Sequence, residues 1–122
     1  MDGTWSIEYR EEFETWWRDL PEDAQEALAH DIDVLAAIGP GLGRPFVDTV
    51  HGSRYPNMKE LRTSHHGHAY RMLFAFDPRR TAILLIGGDK TGDRPFYRSM
   101  IHRADRAYGE HLHELRERGE IA

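Results

Sequence analysis

Residues 68–90, HAYRMLFAFDPRRTAILLIGGDK, constrain the fold more than any other part of the chain. They contain two apolar runs, AYRMLFAF and TAILLIGG, which are typical of strands. The DPRR tetrapeptide between them has Asp and Pro where a tight turn favours them. Because two strands joined by so short a turn must be antiparallel, the segment predicts a β-hairpin, and its apolar second strand should be central in a sheet.

The flanking segments complete the predicted elements. TWSIEYR alternates apolar and polar residues, which indicates a short strand, and MKELRT indicates a strand that HHGH connects to the hairpin. Two stretches of apolar residues at helical spacing, separated by Pro21, predict a helical hairpin. The Gly- and Pro-rich residues 39–57 predict an irregular connector, and a last apolar stripe from Tyr97 to Leu115 predicts a C-terminal helix.

This order of elements predicts a single α+β domain over residues 1–122. The N-terminal strand and a three-stranded antiparallel meander would make a four-stranded sheet. We expect the helices to cover one face of that sheet and to leave the other face partly open.

Composition excludes several classes of function. The chain has no cysteine, which excludes disulfides, thiol catalysis and thiolate metal sites. Its longest apolar run is too short to span a bilayer, and its start has neither the basic nor the apolar region of a secretory signal. We therefore expect a cytoplasmic protein without a membrane partner. The net charge of −5 combines −9 over residues 1–38 with +6 over residues 39–108, which suggests a basic face that meets an anionic partner.

Strand alternation predicts which side chains occupy the open face. The bulky residues of AYRMLFAF alternate and should pack under the helices, so Arg71 points to the other face. In MKELRT an inward Leu61 would send Glu60 and Arg62 to the side of Arg71. Lys90 and Tyr97 would reach the same place from the end of the last strand and the first turn of the last helix.

A simpler interpretation is that Arg71 and Glu60 form an ordinary cross-strand ion pair on a solvated face. Five converging residues favour a functional site instead, because a solvated face has no need of a tyrosine and several cations at one end. Lys59 has the parity of Leu61, so it would either lie at the margin of the sheet or break the regular pattern.

The succession KELR, AYRMLFAFD, LLIGGDK and a tyrosine seven residues after that lysine resembles the RelE/ParE toxin superfamily, particularly its HigB-like and phage-derived members. The resemblance covers nearly the whole chain. It implies a type II toxin that cuts mRNA on the ribosome, inhibits translation and needs no cofactor. Its implied partners are the ribosome, mRNA and a cognate antitoxin, in HigB systems usually a HigA-like helix-turn-helix protein.

The resemblance also implies catalytic roles. Arg71 matches the family's arginine that contacts the scissile phosphate, and Tyr97 matches a tyrosine proposed as acid or base. Glu60 stands where some relatives have a basic residue and others a glutamate, and the glutamate would serve as general base. These roles fit cleavage by the RNA's own 2′-hydroxyl, which needs a proton acceptor, cations at the phosphate and a proton donor to the leaving oxygen.

The implied substrate-binding residues are basic. One departure from RelE is Thr91, which stands where RelE has an arginine after the lysine. Arg94 or Arg98 would supply that charge here. The full predicted substrate-binding set is Lys59, Arg62, Lys90, Arg94 and Arg98.

The HHGH turn invites a metal interpretation, but its histidines have no carboxylate partner evident in the sequence. We therefore predict no metal site. Two other functions remain open on the same fold: a ParE-like inhibitor of DNA gyrase, and an inactive relative that only binds an antitoxin.

Overall fold

Five strands form one mixed sheet in the order β1-β5-β4-β3-β2 in the computed structural model, which describes residues 4–92 and 95–122. β1 pairs in parallel with β5, and the other neighbouring strands are antiparallel. The α+β class and the antiparallel meander predicted from the sequence are confirmed. The elements are β1 (Ile7–Tyr9), α1 (Glu11–Arg18), α2 (Glu22–Ile38), a 3-10 turn (Gly39–Gly41), β2 (Val47–Thr49), β3 (Lys59–His65), β4 (His68–Phe76), β5 (Ala82–Asp89) and α3 (Phe96–Glu117).

The predicted number of four strands is wrong, because the connector contains the edge strand β2. This strand pairs antiparallel with β3, and its buried Val47 lies opposite Leu61. Three residues are too few to show an alternating pattern, and the surrounding glycines and prolines pointed to a loop. β2 forms one edge of the sheet, and its residues Asp48 and Thr49 lie beside Glu60 and Arg62 of β3.

The helices cover both faces of the sheet, which corrects the expectation of a partly open face. α1 and α2 pack on the face that presents Met72 and Phe74, whereas α3 packs on the face that presents Leu73 and Ala75. The cause is visible in β4 and β5, whose residues are apolar on both sides, as in strands buried between two layers.

Within the described ranges, no helix has the length and apolarity needed to cross a membrane.

Two adjacent glycines of β5 allow both helical layers to approach. A Cβ at Gly87 would lie 2.3 Å from the ring of Trp16 in α1. A Cβ at Gly88 would lie 2.8 Å from the ring of Phe96 in the first turn of α3. The missing side chains therefore bring the start of α3 down onto the sheet, next to the residues of the candidate site.

Candidate active site

The candidate site lies on the α3 face of the sheet, beside the first turn of α3. Alternation along β3 sends Glu60 and Arg62 to this face. The β3–β4 register places Arg62 directly opposite Arg71, so the two arginines are cross-strand neighbours. Tyr97, the second residue of α3, reaches over Glu60. The structure thus brings together all five residues that the sequence grouped, because Lys90 reaches the cluster from the position just after β5.

Glu60 is the centre of this cluster. The Tyr97 hydroxyl donates to Glu60 Oε1 at 2.6 Å, and Arg62 Nε donates to Oε2 at 3.1 Å. Arg71 Nε lies 3.8 Å from Oε1, within ion-pair range. Glu60 is only 3% exposed, so these three neighbours rather than bulk water set its environment. A buried carboxylate surrounded in this way is held in one orientation.

A cavity of about 340 Å³ opens next to the cluster. This volume is near the lower end of the range of small-ligand sites, about 300–1,000 Å³. Lys90 stands at its edge, with Nζ 5.7 Å from the centre of the Tyr97 ring. The cavity is lined by Asp48, Thr49, Val50, His51, Glu60, Arg62, Lys90 and Tyr97.

Arg71 lies deeper than the sequence predicted. It points to the predicted side of β4, away from α1 and α2, but that side is covered and the residue is only 9% exposed. Its Nη1 donates to the carbonyl of Tyr70 at 2.9 Å. Among the residues that the structure describes, its buried Nε donates to no acceptor. Arg71 is therefore a cation behind Glu60, while Arg62 and Lys90 are the cations at the cavity wall.

Electrostatics fix the protonation of several groups. Burial and the carboxylate of Glu60 raise the pKa of the Tyr97 phenol, and Arg71 opposes this only in part, so Tyr97 is a protonated donor at neutral pH. Burial opposes the charge of Arg62, yet Glu60 outweighs it and the pKa of Arg62 is raised. A hydrogen bond from Arg44 lowers the pKa of Asp48. The wall therefore carries an anionic Asp48 beside a cationic Arg62.

The other predicted substrate-binding residues are not gathered here. Because successive strand residues point to opposite faces, Lys59 lies on the α1–α2 side of β3, away from Glu60. Arg98 is exposed on α3, one residue beyond Tyr97, and is not among the described residues that line the cavity. Arg94 lies outside the described residues.

Sequence reasoning missed three polar residues of the cavity, Asp48, Thr49 and His51. Asp48 is in the unpredicted strand β2, and His51 follows it in the loop towards β3. Asp48 accepts from Arg44 at 2.9 Å and lies 3.9 Å from Arg62. None of the three belongs to a longer periodic pattern, and the alternation in VDT, which includes Asp48 and Thr49 but not His51, is too short to interpret.

The HHGH turn has the carboxylate partner that the sequence did not reveal. Asp23, in the first turn of α2, lies 3.0 Å from Nε2 of His65 and 3.7 Å from Nε2 of His66. His68 pairs instead with Asp89 at the end of β5. The reason given for expecting no metal site, the lack of a carboxylate, was therefore wrong.

The architecture is that of the RelE-like fold. The chain is similar to a double arginine-to-alanine mutant of the E. coli toxin RelE in the free state, with a TM-score of 0.54 over 76% of this chain and 90% of that one. At 12% identity this likeness shows the fold alone.

Similarities in sequence identify the family to which the chain belongs. Residues 15–109 match the family described as "Phage derived protein Gp49-like". Two proteins of Mycobacterium tuberculosis are also similar. "Putative toxin HigB2" is 45% identical over 84% of this chain and 52% of that protein, and "Putative toxin HigB3" is 50% identical over 75% and 80%. The chain belongs to the Gp49-like family and to the HigB-like branch of the RelE/ParE superfamily, which confirms the resemblance seen in the sequence. It spans about half the length of the first of these relatives.

Proposed function

We propose that this protein is the toxin of a type II toxin-antitoxin system and that it inhibits translation by cutting mRNA on the ribosome. The names of its relatives support the toxin assignment. The observation that carries the nuclease assignment is Glu60, held by Tyr97 at 2.6 Å, Arg62 at 3.1 Å and Arg71 at 3.8 Å beside the cavity.

The proposed reaction uses the RNA's own 2′-hydroxyl as nucleophile. Glu60 takes the 2′ proton, the 2′-oxygen bonds to phosphorus, and the bond from phosphorus to the 5′-oxygen breaks. Arg62 and Lys90 bind the phosphate from the cavity wall, and Arg71 adds positive potential from behind Glu60. Fixed cations of this kind act on the charge that develops in the transition state, which is often the largest catalytic contribution. The products are a 2′,3′-cyclic phosphate and a 5′-hydroxyl.

Tyr97 completes the proton transfer by protonating the leaving 5′-oxygen. With its raised pKa the phenol is a poor acid alone, but its oxygen lies 2.6 Å from Glu60. As Tyr97 gives its proton to the leaving 5′-oxygen, it receives the proton that Glu60 has taken from the 2′-hydroxyl. Glu60 ends as a carboxylate and Tyr97 as a phenol, so the site is restored after each cut. No metal or cofactor takes part.

This function implies partners and a location. The ribosome and mRNA would be met in the cytoplasm. A cognate antitoxin, proposed to be a HigA-like helix-turn-helix protein, would neutralise the toxin by an acidic segment over Arg62 and Lys90 or by displacing α3. Copurification of the chain with the product of the neighbouring reading frame tests this partnership. Loss of copurification in the double variant Arg62→Glu, Lys90→Glu would support binding of the antitoxin over these two cations.

The test of the nuclease assignment uses purified ribosomes programmed with a defined mRNA. The parent chain should produce discrete cuts whose upstream ends carry a cyclic phosphate, and Glu60→Gln should cut about 10²–10⁴ times more slowly, the range for loss of one proton-transfer group. Glu26→Gln, an exposed position on α2, is the matched control and should cut at the parental rate. Equal rates for Glu60→Gln and the parent would refute the assignment. Inhibition of gyrase supercoiling in a parallel assay, without cutting, would favour the ParE-like alternative.

A further inference from the structure

We propose that Asp23, His65 and His66 form a Zn²⁺ site that links the start of α2 to the β3–β4 turn. The three side chains offer one carboxylate oxygen and two imidazole nitrogens, all within 4.8 Å of one another. This cluster lies on the α1–α2 side of the molecule, and the proposed RNA chemistry does not use it. The inference is therefore independent of the nuclease assignment.

Two of the three donor separations lie close to the value for tetrahedral zinc. Zinc binds imidazole nitrogen and carboxylate oxygen at about 2.0–2.2 Å, so two ligands of a tetrahedral ion lie about 3.3 Å apart. Asp23 Oδ2 lies 3.0 Å from His65 Nε2 and 3.7 Å from His66 Nε2, on either side of that value. The third separation, between the imidazole nitrogens, is at most 4.8 Å, so rotation of the exposed side chains would bring the three donors onto one ion.

The turn explains how two adjacent histidines reach one carboxylate. Neighbouring residues of a regular strand point to opposite faces, so His65 and His66 could not both face α2 within a strand. His66, however, has a φ of +50° and Gly67 a φ of +81°, as in the two-residue hairpin turns that require positive φ at both positions. The left-handed backbone at His66 carries its ring back beside that of His65, with ring centres 4.1 Å apart and planes at 88°.

Two histidines and one carboxylate are the ligand types of zinc sites that keep a fourth position for water. Asp23 and His66 are exposed and His65 is partly exposed, so an ion has access from solvent. With protonated imidazoles the same residues could only form an ion pair. Metal binding and ion pairing make different predictions, because only the first gives a stoichiometric, chelator-sensitive complex.

The direct test is a Co²⁺ and Zn²⁺ titration of the chain without a histidine tag. Co²⁺ should bind one ion per chain and develop the visible absorption of a tetrahedral ion, and Zn²⁺ should remove that absorption by competition. Zn²⁺ should also raise the melting temperature, and a chelator should reverse the rise. Absence of the absorption together with an unchanged melting temperature would overturn the proposal.

Variants locate the ion. His66→Asn keeps a residue that tolerates positive φ, and Asp23→Asn keeps the side-chain size, so both should fold as the parent does. Each should weaken Zn²⁺ binding by at least about 10-fold, the loss typical of removing even an outer partner of a metal. His113→Gln, an exposed position on α3, is the control and should bind as the parent does. Parental affinity in both ligand variants would place the ion elsewhere and refute the site.

Discussion

At the scale of the residue, the Tyr97 hydroxyl is the donor closest to Glu60. Tyr97→Phe removes it while keeping the ring that packs beside Phe96. If Tyr97 relays the proton to the leaving oxygen, cutting should fall by about 10²–10⁴-fold with little change in melting temperature. Rates of mRNA cutting on ribosomes measure the effect. Tyr108→Phe removes another hydroxyl of α3, one that contacts the Phe76 carbonyl, and should leave the rate unchanged. A parental rate in Tyr97→Phe would exclude it as the proton donor.

Asp77, in the turn between β4 and β5, is a buried carboxylate with several hydrogen-bond donors around it. Its carboxylate accepts from His111 Nε2 at 2.9 Å, from both the Nε and the backbone N–H of Arg79 at 2.9 Å, and from the Thr81 N–H at 3.2 Å. Burial alone would raise the pKa of Asp77, but these donors outweigh it and the pKa is lowered. Asp77 therefore stabilises the fold above its unfolded pKa of about 4, and this stabilisation is lost as the pH falls further.

Asp77→Asn should remove most of this contribution. At pH 7 the variant should have a free energy of unfolding about 1.5–3 kcal/mol lower than the parent, the range for hydrogen bonds to a charged group. The difference should narrow as the pH falls below about 4, where the unfolded carboxylate takes up a proton, and should vanish below the lower pKa of the folded carboxylate. Urea unfolding between pH 7 and pH 3 measures both effects. A difference that stays constant with pH would show that the charge of Asp77 is not what stabilises the turn.

At the scale of the element, β5 is stabilised by contact with helices on both of its faces. Gly87→Ala would put a Cβ 2.3 Å from the Trp16 ring, and the ring is wedged among other aromatic side chains. Overpacking of this kind costs about 1–3 kcal/mol. Gly43→Ala is the matched control, because a Cβ there meets no atom within 4 Å among the described residues. Thermal unfolding should show a lower melting temperature for Gly87→Ala only, and equal values would mean that α1 shifts freely.

The elements differ in how well the sequence predicts them. The hairpin of β4 and β5 and the helices α2 and α3 were predictable, because their patterns extend over eight or more residues. β2 was not, since three residues carry no periodicity. The covered second face was foreseeable from the same strands: Leu73 and Ala75 are apolar on the side assigned to solvent, and a solvated face would have carried polar residues there.

In the site, as in the elements, local sequence pattern predicts some features and tertiary packing sets the others. Parity along β3 and β4 was enough to place Glu60, Arg62 and Arg71 on one face, because the strands pair in regular register across the HHGH turn. The depth of Arg71 and the presence of Asp48 and His51 depend on where α3 and β2 pack. Those positions follow from contacts between distant segments, which a local pattern does not contain.

At the scale of the whole molecule, the two lysines of the chain lie on opposite sides of the sheet. Lys90 lines the cavity, whereas Lys59 lies on the α1–α2 side of β3, and both of those helices are acidic. If the cavity binds the mRNA phosphates, Lys90 should contribute to the salt dependence of binding and Lys59 should not. Protein contacts to single-stranded nucleic acid release counterions, so each phosphate contact adds about 0.7 to the slope of log affinity against log salt.

Lys90→Gln should therefore lower that slope by about 0.7 and weaken binding at low salt, while Lys59→Gln leaves both unchanged. The measurement is a titration of ribosomes programmed with an uncleavable 2′-O-methyl mRNA at several salt concentrations. Using the same substitution at both positions equalises the change in net charge, so a general electrostatic effect would lower both slopes alike. Equal slopes for the two variants would mean that the phosphates do not enter the cavity, since attraction between the anionic ribosome and the protein as a whole would then account for binding.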